Sequence, residues 1–408
     1  VSSTTRGNNG SILQEDPQEM YDSAPDDTVQ TGAWAALAQR AGWLAPSSAS
    51  ARVLHIGPHR IADDTDAFVI AEIGHNHQGS VDKCLALFQA AKDAGVQAVK
   101  LQKRDNARLF THSFYHQPYH SENAFGATYG AHREALEFGH AEYRDLRQAA
   151  LDLGLVFFAT AFDVPSAHFL AELDVPCYKL ASGDLTNTPL LRTVARLGKP
   201  IILSTGAASM ADVLRAVDVV LNENAPLALL QCTATYPTEY HQLNLNVLST
   251  YREAFPDVVV GLSSHDSGIA MATAAYLLGA RVIEKHFTLN RAMKGTDHAF
   301  SLEPVGMRKL VRDLQRLRLA LGDGVKRVLP EETQARVKMG KKVVAAGPLP
   351  AGHVLAWEDL AFKSPGDGLP PAMAEALLGQ RLLRDVGPDE DITFELVGAA
   401  TAPQPATA

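Results

Sequence analysis

Val282-Ile283-Glu284-Lys285-His286-Phe287-Thr288 begins as a β-branched apolar run and ends in Glu, His and Thr. Such a run reads as a buried strand whose C-terminal end presents ionisable and ligating groups to a cavity. Val258-Val259-Val260-Gly261-Leu262-Ser263-Ser264-His265 has the same shape, apolar first and then Ser and His. Residues 269–278 between them read as a helix, so the two strands lie parallel in one sheet. His265 and His286 then face one another at the same edge, a metal-site geometry. Lys294-Gly295-Thr296-Asp297-His298 follows close behind.

Outward from these two strands the chain is rhythmic. Strands are expected over 68–74, 96–102, 156–161, 177–181, 201–205 and 227–233. Helical spacing is expected over 81–94, 141–153, 166–173, 189–197, 211–221, up to 254, and over 305–321. Eight strand-then-helix units with nearly continuous apolar strands form the pattern of an α/β (β/α)8 TIM barrel, whose active site sits at the C-terminal strand ends. The rival is a doubly wound open sheet, but no Gly-rich phosphate loop of the dinucleotide or Walker type follows any strand. Residues 104–140 form a long irregular stretch, and loops of that length are usually functional.

Both ends differ in composition. Residues 1–50 read as an extension, partly disordered, with a short helix over 32–44 that carries Trp34, Leu37, Ala38, Ala41 and Leu44 on one face. A strand or hairpin is expected over 53–61. The barrel is assigned 51–325 and a linker 326–340. A small β-rich domain, two loosely similar halves with one helix near 373–378, takes 341–398, and 399–408 is a disordered tail.

A net charge of −9 over 408 residues argues against a nucleic-acid surface. Cys84, Cys177 and Cys232 lie in apolar segments without paired spacing and read as reduced core thiols of a cytoplasmic protein. No apolar run approaches the roughly 20 residues of a membrane span. The N-terminal residues carry Asp and Glu and lack the apolar region of a secretory signal.

The barrel reading expects polar strand ends, and they are polar: Glu72 with Asn76 and His77, Lys100 with Gln102, Thr160, Lys179 with Ser182 and Asp184, Ser204 with Thr205, Thr233 with Tyr236, Ser263 with His265, and Glu284 with His286. A buried ammonium needs an anionic partner. Lys100 and Lys179, with the hydroxyls of Thr160, Ser182 and Ser263, would cradle a phosphate and a carboxylate; alternatively each Lys pairs with Glu72 or Glu284. His265 and His286 would offer two imidazoles to a divalent ion, leaving positions open for oxygen ligands. Glu72 and Glu284 could ligate, orient or act as general acid and base. Cys232 reads as packing. His75-Asn76-His77, with Lys179, offers a different enzyme class, a metal-dependent amidohydrolase, but that pattern wants His after the fifth and sixth strands and Asp after the eighth.

The motifs 71–79 (AEIGHNHQG), 99–102 (VKLQ), Tyr178-Lys179, Ser182-Gly183-Asp184, Cys232-Thr233 with Tyr236-Pro237, Gly261-Leu262-Ser263, His265, 284–288 (EKHFT) and 295–298 (GTDH) together resemble the sialic acid (N-acetylneuraminate) synthase family. The resemblance runs from about Val53 to Val397 and includes a C-terminal antifreeze-like (SAF) domain. Residues 126–133 and Asp184 look more like the animal-type branch, which uses a 6-phosphorylated sugar.

The resemblance implies condensation of phosphoenolpyruvate with an N-acylmannosamine-type aldose, or its 6-phosphate, aided by Mn2+ or Mg2+. By motif position His265 and His286 resemble the metal ligands. Lys100, Thr160, Lys179, Ser182 and Ser263 resemble the phosphoenolpyruvate site, with Lys179 also among the catalytic groups. Gln102, Asp184, Tyr236 and Asp297 resemble the sugar site, and Glu72 and Glu284 the catalytic carboxylates. A domain-swapped homodimer is implied in the same way. Three positions depart from the pattern: Ala234 replaces an Asn, Ser264 an acidic residue, and Ser364 an Arg that reaches the partner's sugar site.

Overall fold

The computed structural model describes residues 52–398. The helix expected over 32–44, the rest of the extension and the tail from 399 lie outside the described residues. The chain divides into two compact units, one over Ser47–Gly322 and another that includes the chain from Asp323 onward.

The first unit opens on an antiparallel hairpin, β1 (Val53–Ile56) and β2 (His59–Ala62). Eight strands follow: β3 (Phe68–Gly74), β4 (Ala98–Lys103), β5 (Val156–Ala161), β6 (Tyr178–Leu180), β7 (Ile201–Ser204), β8 (Leu227–Cys232), β9 (Val259–Ser264) and β10 (Val282–His286). They close into a barrel in sequence order, and β10 pairs with both β9 and β3. Every residue of β3, β5, β8, β9 and β10 is buried, which is why these strands read as continuous apolar runs and not as alternating ones.

The helices cover the outside. Val81–Ala94 buries Cys84, Leu87, Phe88, Ala91 and Ala94 on one stripe, and Ser80 caps its start by accepting from the Lys83 N–H. Gly95 ends it at φ 86°, a left-handed conformation natural to glycine. Ser209 and Asp212 form a capping box for Met210–Leu221, and Pro304 occupies the first turn of Pro304–Leu321.

Three expectations change. The stretch 104–140 is not irregular throughout; it holds helical turns at Asn106–Leu109, His112–Tyr115 and Tyr129–Glu134, capped by Asp105, Thr111 and Thr128. Each is too short for periodicity to register. A helix, Thr333–Met339, stands within the stretch expected as linker. The helix expected near 373–378 is a 3-10 run, Pro371–Leu377.

In the second unit β11 (Lys342–Ala345) pairs antiparallel with β12 (Leu360–Lys363), and β13 (Arg381–Leu382) with β14 (Val397–Gly398). Val343, Leu355, Leu377 and Ile392 belong to its own core. No helix among the described residues is long and apolar enough to cross a membrane.

Candidate active site

Parallel strands in a closed ring deliver all their C-terminal ends to one mouth. Register fixes the neighbours there: Glu284 lies opposite Ser263, His286 opposite Glu72, Glu72 opposite Lys100, and Thr160 opposite Lys179. A cavity of about 660 Å³ opens at this mouth. Its wall holds Glu72, Lys100, Gln102, Thr160, Lys179, Ser182, Tyr236, Ser263, His265, Glu284, His286 and Asp297. Asp184 stands outside that wall, in the turn Ser182–Asp184, where it accepts a hydrogen bond from Asn187 (3.2 Å). Burial pushes its carboxyl up to about 6.

The first strand is locally deformed to serve the cavity. The β3–β4 register shifts between Glu72 and Gly74, and Gly74 adopts φ 53°. A Cβ there would meet Gln102 Nε2 at 3.2 Å and Glu72 Oε1 at 3.3 Å, so glycine leaves room for both side chains.

The two lysines are not equivalent. Lys100 Nζ pairs with Glu72 Oε2 at 2.6 Å, donates to Thr160 Oγ1 at 2.8 Å and stands 3.6 Å from Glu284 Oε1. Lys179 Nζ donates to Ser204 Oγ (2.7 Å) and to the Leu180 carbonyl (2.9 Å), and none of the ion pairs among the described residues includes it. It is a buried ammonium held only by neutral acceptors, an arrangement that an incoming anion completes. Burial lowers its pKa against the pull of Glu284. For Glu284 burial favours the neutral form, but Lys100, Lys179, His286 and the Ser263 hydroxyl (3.1 Å) outweigh it and hold the carboxyl below its ordinary range. Its Oε2 is buried without a hydrogen-bond partner.

His265 and His286 approach to 5.4 Å between ring centroids. His265 Nδ1 donates to the Thr233 carbonyl (3.0 Å), which leaves the Nε2 lone pair available. Burial, with His286 beside it, lowers its pKa to about 3, so the ring is neutral. His286 Nδ1 is buried with no hydrogen-bond partner and stands 3.7 Å from Asp297 Oδ2. An orphaned imidazole nitrogen beside a second neutral imidazole fits a divalent ion. Among the described residues no group of three or more His, Cys, Asp or Glu converges on such a point. Substrate and water oxygens would therefore complete the coordination.

Behind this pair Lys285 points the other way. Its Nζ donates to Asp266 Oδ1 (2.9 Å), to the Asp266 carbonyl (2.7 Å) and to Ser264 Oγ (3.3 Å), and both ionised side chains are 1% exposed. The link ties β10 to the segment that follows β9, the two places from which His286 and His265 project.

Some wall residues escaped the sequence reading. Arg104, Arg133 and Asn123 line the cavity, and all three lie in the stretch 104–140. The length of that stretch was the only signal. Cys232 is packed, as expected, yet also lines the cavity, with its thiol raised by burial. The His75-Asn76-His77 triplet does not present a metal pair: His77 stacks on Phe138 (4.3 Å), while His75 lies between Arg104 and Arg133. Of the departures, Ala234 lines the cavity, Ser264 accepts from Lys285, and Ser364 accepts from Lys341.

Comparison with known proteins gives the family of the chain. The NeuB family profile matches residues 87–326, and the SAF domain profile matches residues 342–398. The chain is similar to the N-acetylneuraminate-9-phosphate synthase of Homo sapiens, 40% identical over 331 residues that cover 81% of this chain and 92% of that protein. It is 33% identical over 338 residues to the N,N'-diacetyllegionaminic acid synthase of Legionella pneumophila, covering 81% of this chain and 95% of that one. Among solved structures, the N-acetylneuraminic acid synthetase of Leptospira borgpetersenii matches with TM-score 0.62 and 31% identity, over 70% of this chain and 95% of that one.

Proposed function

The chain belongs to the NeuB family, and from that premise we propose that it condenses phosphoenolpyruvate with an N-acylmannosamine-type aldose, free or 6-phosphorylated. The products are a sialic-acid-type nonulosonic acid and phosphate. The observation that carries this reading is Lys179, a buried ammonium without a carboxylate partner at the mouth that also holds Glu284 and the two imidazoles.

In this reading Lys179, Lys100 and the hydroxyls of Thr160, Ser182 and Ser263 hold the donor's phosphate and carboxylate. The enol carbon of the donor bonds to the aldehyde carbon, whose oxygen takes a proton from solvent and becomes a hydroxyl. Water then adds to the oxocarbenium carbon, and phosphate leaves with cleavage of the C–O bond. Glu284, ionised and free at Oε2, takes the proton of the attacking water. Glu72 holds Lys100 and, through Gln102 Nε2 (2.7 Å), orients the sugar side of the cavity. Tyr236 and Asp297 flank the acceptor. A divalent ion, manganese or magnesium, held by His265 and His286, would supply Lewis-acid stabilisation of the aldehyde oxygen. Asp184 contributes from outside the wall, through the Ser182 turn.

Release of inorganic phosphate from phosphoenolpyruvate that requires both an aldose and a divalent ion is the expected result. Release without any aldose would remove the condensation.

The enzyme is further proposed to be a cytoplasmic homodimer. Three free, buried thiols favour the compartment. Leu319 and Val305 of the barrel unit are 80% and 59% exposed, apolar surface that a second copy would cover. A monomeric mass by light scattering would reject the dimer. Residues 51–325 are assigned to the synthase barrel and 341–398 to the antifreeze-like domain.

A further inference from the structure

Buried polar groups in folded proteins nearly all have a hydrogen-bond partner, so those without one point to something still to be bound. In the reaction cavity they include Glu284 Oε2 and His286 Nδ1. Four others gather on residues that wall a different cavity, of about 470 Å³: Asn106 Nδ2, Asn106 Oδ1, Ser166 Oγ and Glu137 Oε1. Arg104 is the one residue common to the two walls.

This second cavity lies where the residues following β4 meet the helix Val164–Glu172, which follows β5. Its polar groups are held in place. Asp163 Oδ2 accepts from the Asp105 N–H (2.8 Å) and Asp163 Oδ1 from the Ser166 N–H (2.7 Å), so one carboxylate fastens both segments. Asn106 is 2% exposed and Ser166 1%, too buried to satisfy their side chains from bulk water. Glu137 Oε2 accepts from Lys103 Nζ (3.0 Å) and from the Arg104 N–H (3.3 Å), which leaves Oε1 open. Lys103 Nζ is itself taken up, since it also donates to the Phe138 carbonyl (3.0 Å).

The open valences define what fits. Asn106 Nδ2 and the Ser166 hydroxyl ask for acceptors, whereas Asn106 Oδ1 and Glu137 Oε1 ask for donors. An anion offers acceptors only, and Asp105, Glu134, Glu137 and Glu172 in the wall outweigh Lys103 and Arg104 and repel it. A simple cation offers donors only and leaves the Asn106 amide N–H groups unmet. A zwitterion would turn its carboxylate toward those same acids. A ligand whose neighbouring atoms both donate and accept, without charge, meets all four.

We propose that this cavity is a binding site, separate from the reaction cavity, for an uncharged polyol such as a sugar ring. Each hydroxyl of a vicinal pair gives one O–H and takes one hydrogen bond, which matches the Asn106 amide edge beside the Ser166 hydroxyl and Glu137 Oε1. The site is independent of the condensation, in which Asn106, Ser166 and Glu137 have no part.

The test titrates the full chain with D-glucose, mannitol, glycine and inorganic phosphate, following each ligand by its own NMR signals. Expected is saturable binding of the two polyols, with a dissociation constant on the order of millimolar for so small a ligand. Ser166→Ala and Asn106→Leu should each weaken it about threefold to tenfold, the size of one or two neutral hydrogen bonds. Without ligand, Ser166→Ala should melt no lower than the wild type, because it removes a buried hydroxyl that has no partner. That conservative variant keeps the test informative if Asn106→Leu does not fold. Absence of saturable polyol binding overturns the site, as does binding that both variants leave unchanged, which would place the ligand elsewhere. A lower melting temperature for Ser166→Ala would mean that an ordered water already satisfies the hydroxyl, and it overturns the site as well. Tighter binding of glycine or phosphate at the same residues overturns the polyol assignment.

Discussion

At the scale of single residues, Lys179 and Lys100 show how partners decide the use of a charge. Lys100 already has Glu72 at 2.6 Å, whereas Lys179 rests on a hydroxyl and a carbonyl. Lys179→Ala is expected to raise KM for phosphoenolpyruvate roughly tenfold to a hundredfold, the range for a charged hydrogen bond to an anion. An unchanged KM for that substrate would contradict the cradle. His286 tests the other half of the site. His286→Ala should abolish stoichiometric Mn2+ binding, followed by electron paramagnetic resonance, and turnover with it, while leaving the thermal transition in place. Retained tight Mn2+ binding would detach the ion from these imidazoles.

At the scale of strands and helices, the position of His265 relative to His286 depends on the β9–β10 seam. Gly261 lies on that seam, and a Cβ there would come within 2.3 Å of the Val282 carbonyl oxygen and 2.4 Å of Leu230 Cδ2. Gly261→Ala should destabilise the barrel by about 1–3 kcal/mol, the usual cost of overpacking, as measured by chemical denaturation. A neutral result would mean that the seam has slack. Strands like this one were legible because both of their faces are buried, so Val258 to Leu262 is an apolar run without alternation. The strand-end lysines, carboxylates and histidines were legible because polar groups terminating such runs have few bland explanations. Arg104 and Arg133 were not. Arg104 lies in the connection just past β4 and Arg133 on the six-residue turn Tyr129–Glu134, and both positions depend on caps and tertiary packing and not on any periodic signal. The bulge at Gly74 was equally hidden, because it arises from register between strands and not from either strand alone.

At the scale of the whole molecule, several buried imidazoles give stability a direction in pH. His77 is lowered to about 3 by burial, and His75 lies well below its ordinary value for the same reason. An unfolded chain binds protons at these positions below about pH 6.5, whereas the folded one does not until much lower pH. Their contribution is therefore complete above that pH and is lost as pH falls toward 3. Glu284, held below its ordinary range, acts in the same sense at the acid end. Asp184, raised to about 6, and Glu137, also raised by burial, act in the opposite sense but are outnumbered by the lowered imidazoles. The melting temperature should fall between pH 7 and pH 5, and a rise over that interval would contradict the balance.

The Lys285–Asp266 link sets a condition on how this enzyme can change over generations. Losing either partner alone strands a charge where water cannot reach it, at a cost of roughly 3–5 kcal/mol, whereas replacing both with apolar side chains can be neutral. A lineage leaving this pairing must cross a strongly destabilised intermediate or alter both codons together. The two positions should therefore be inherited as a unit.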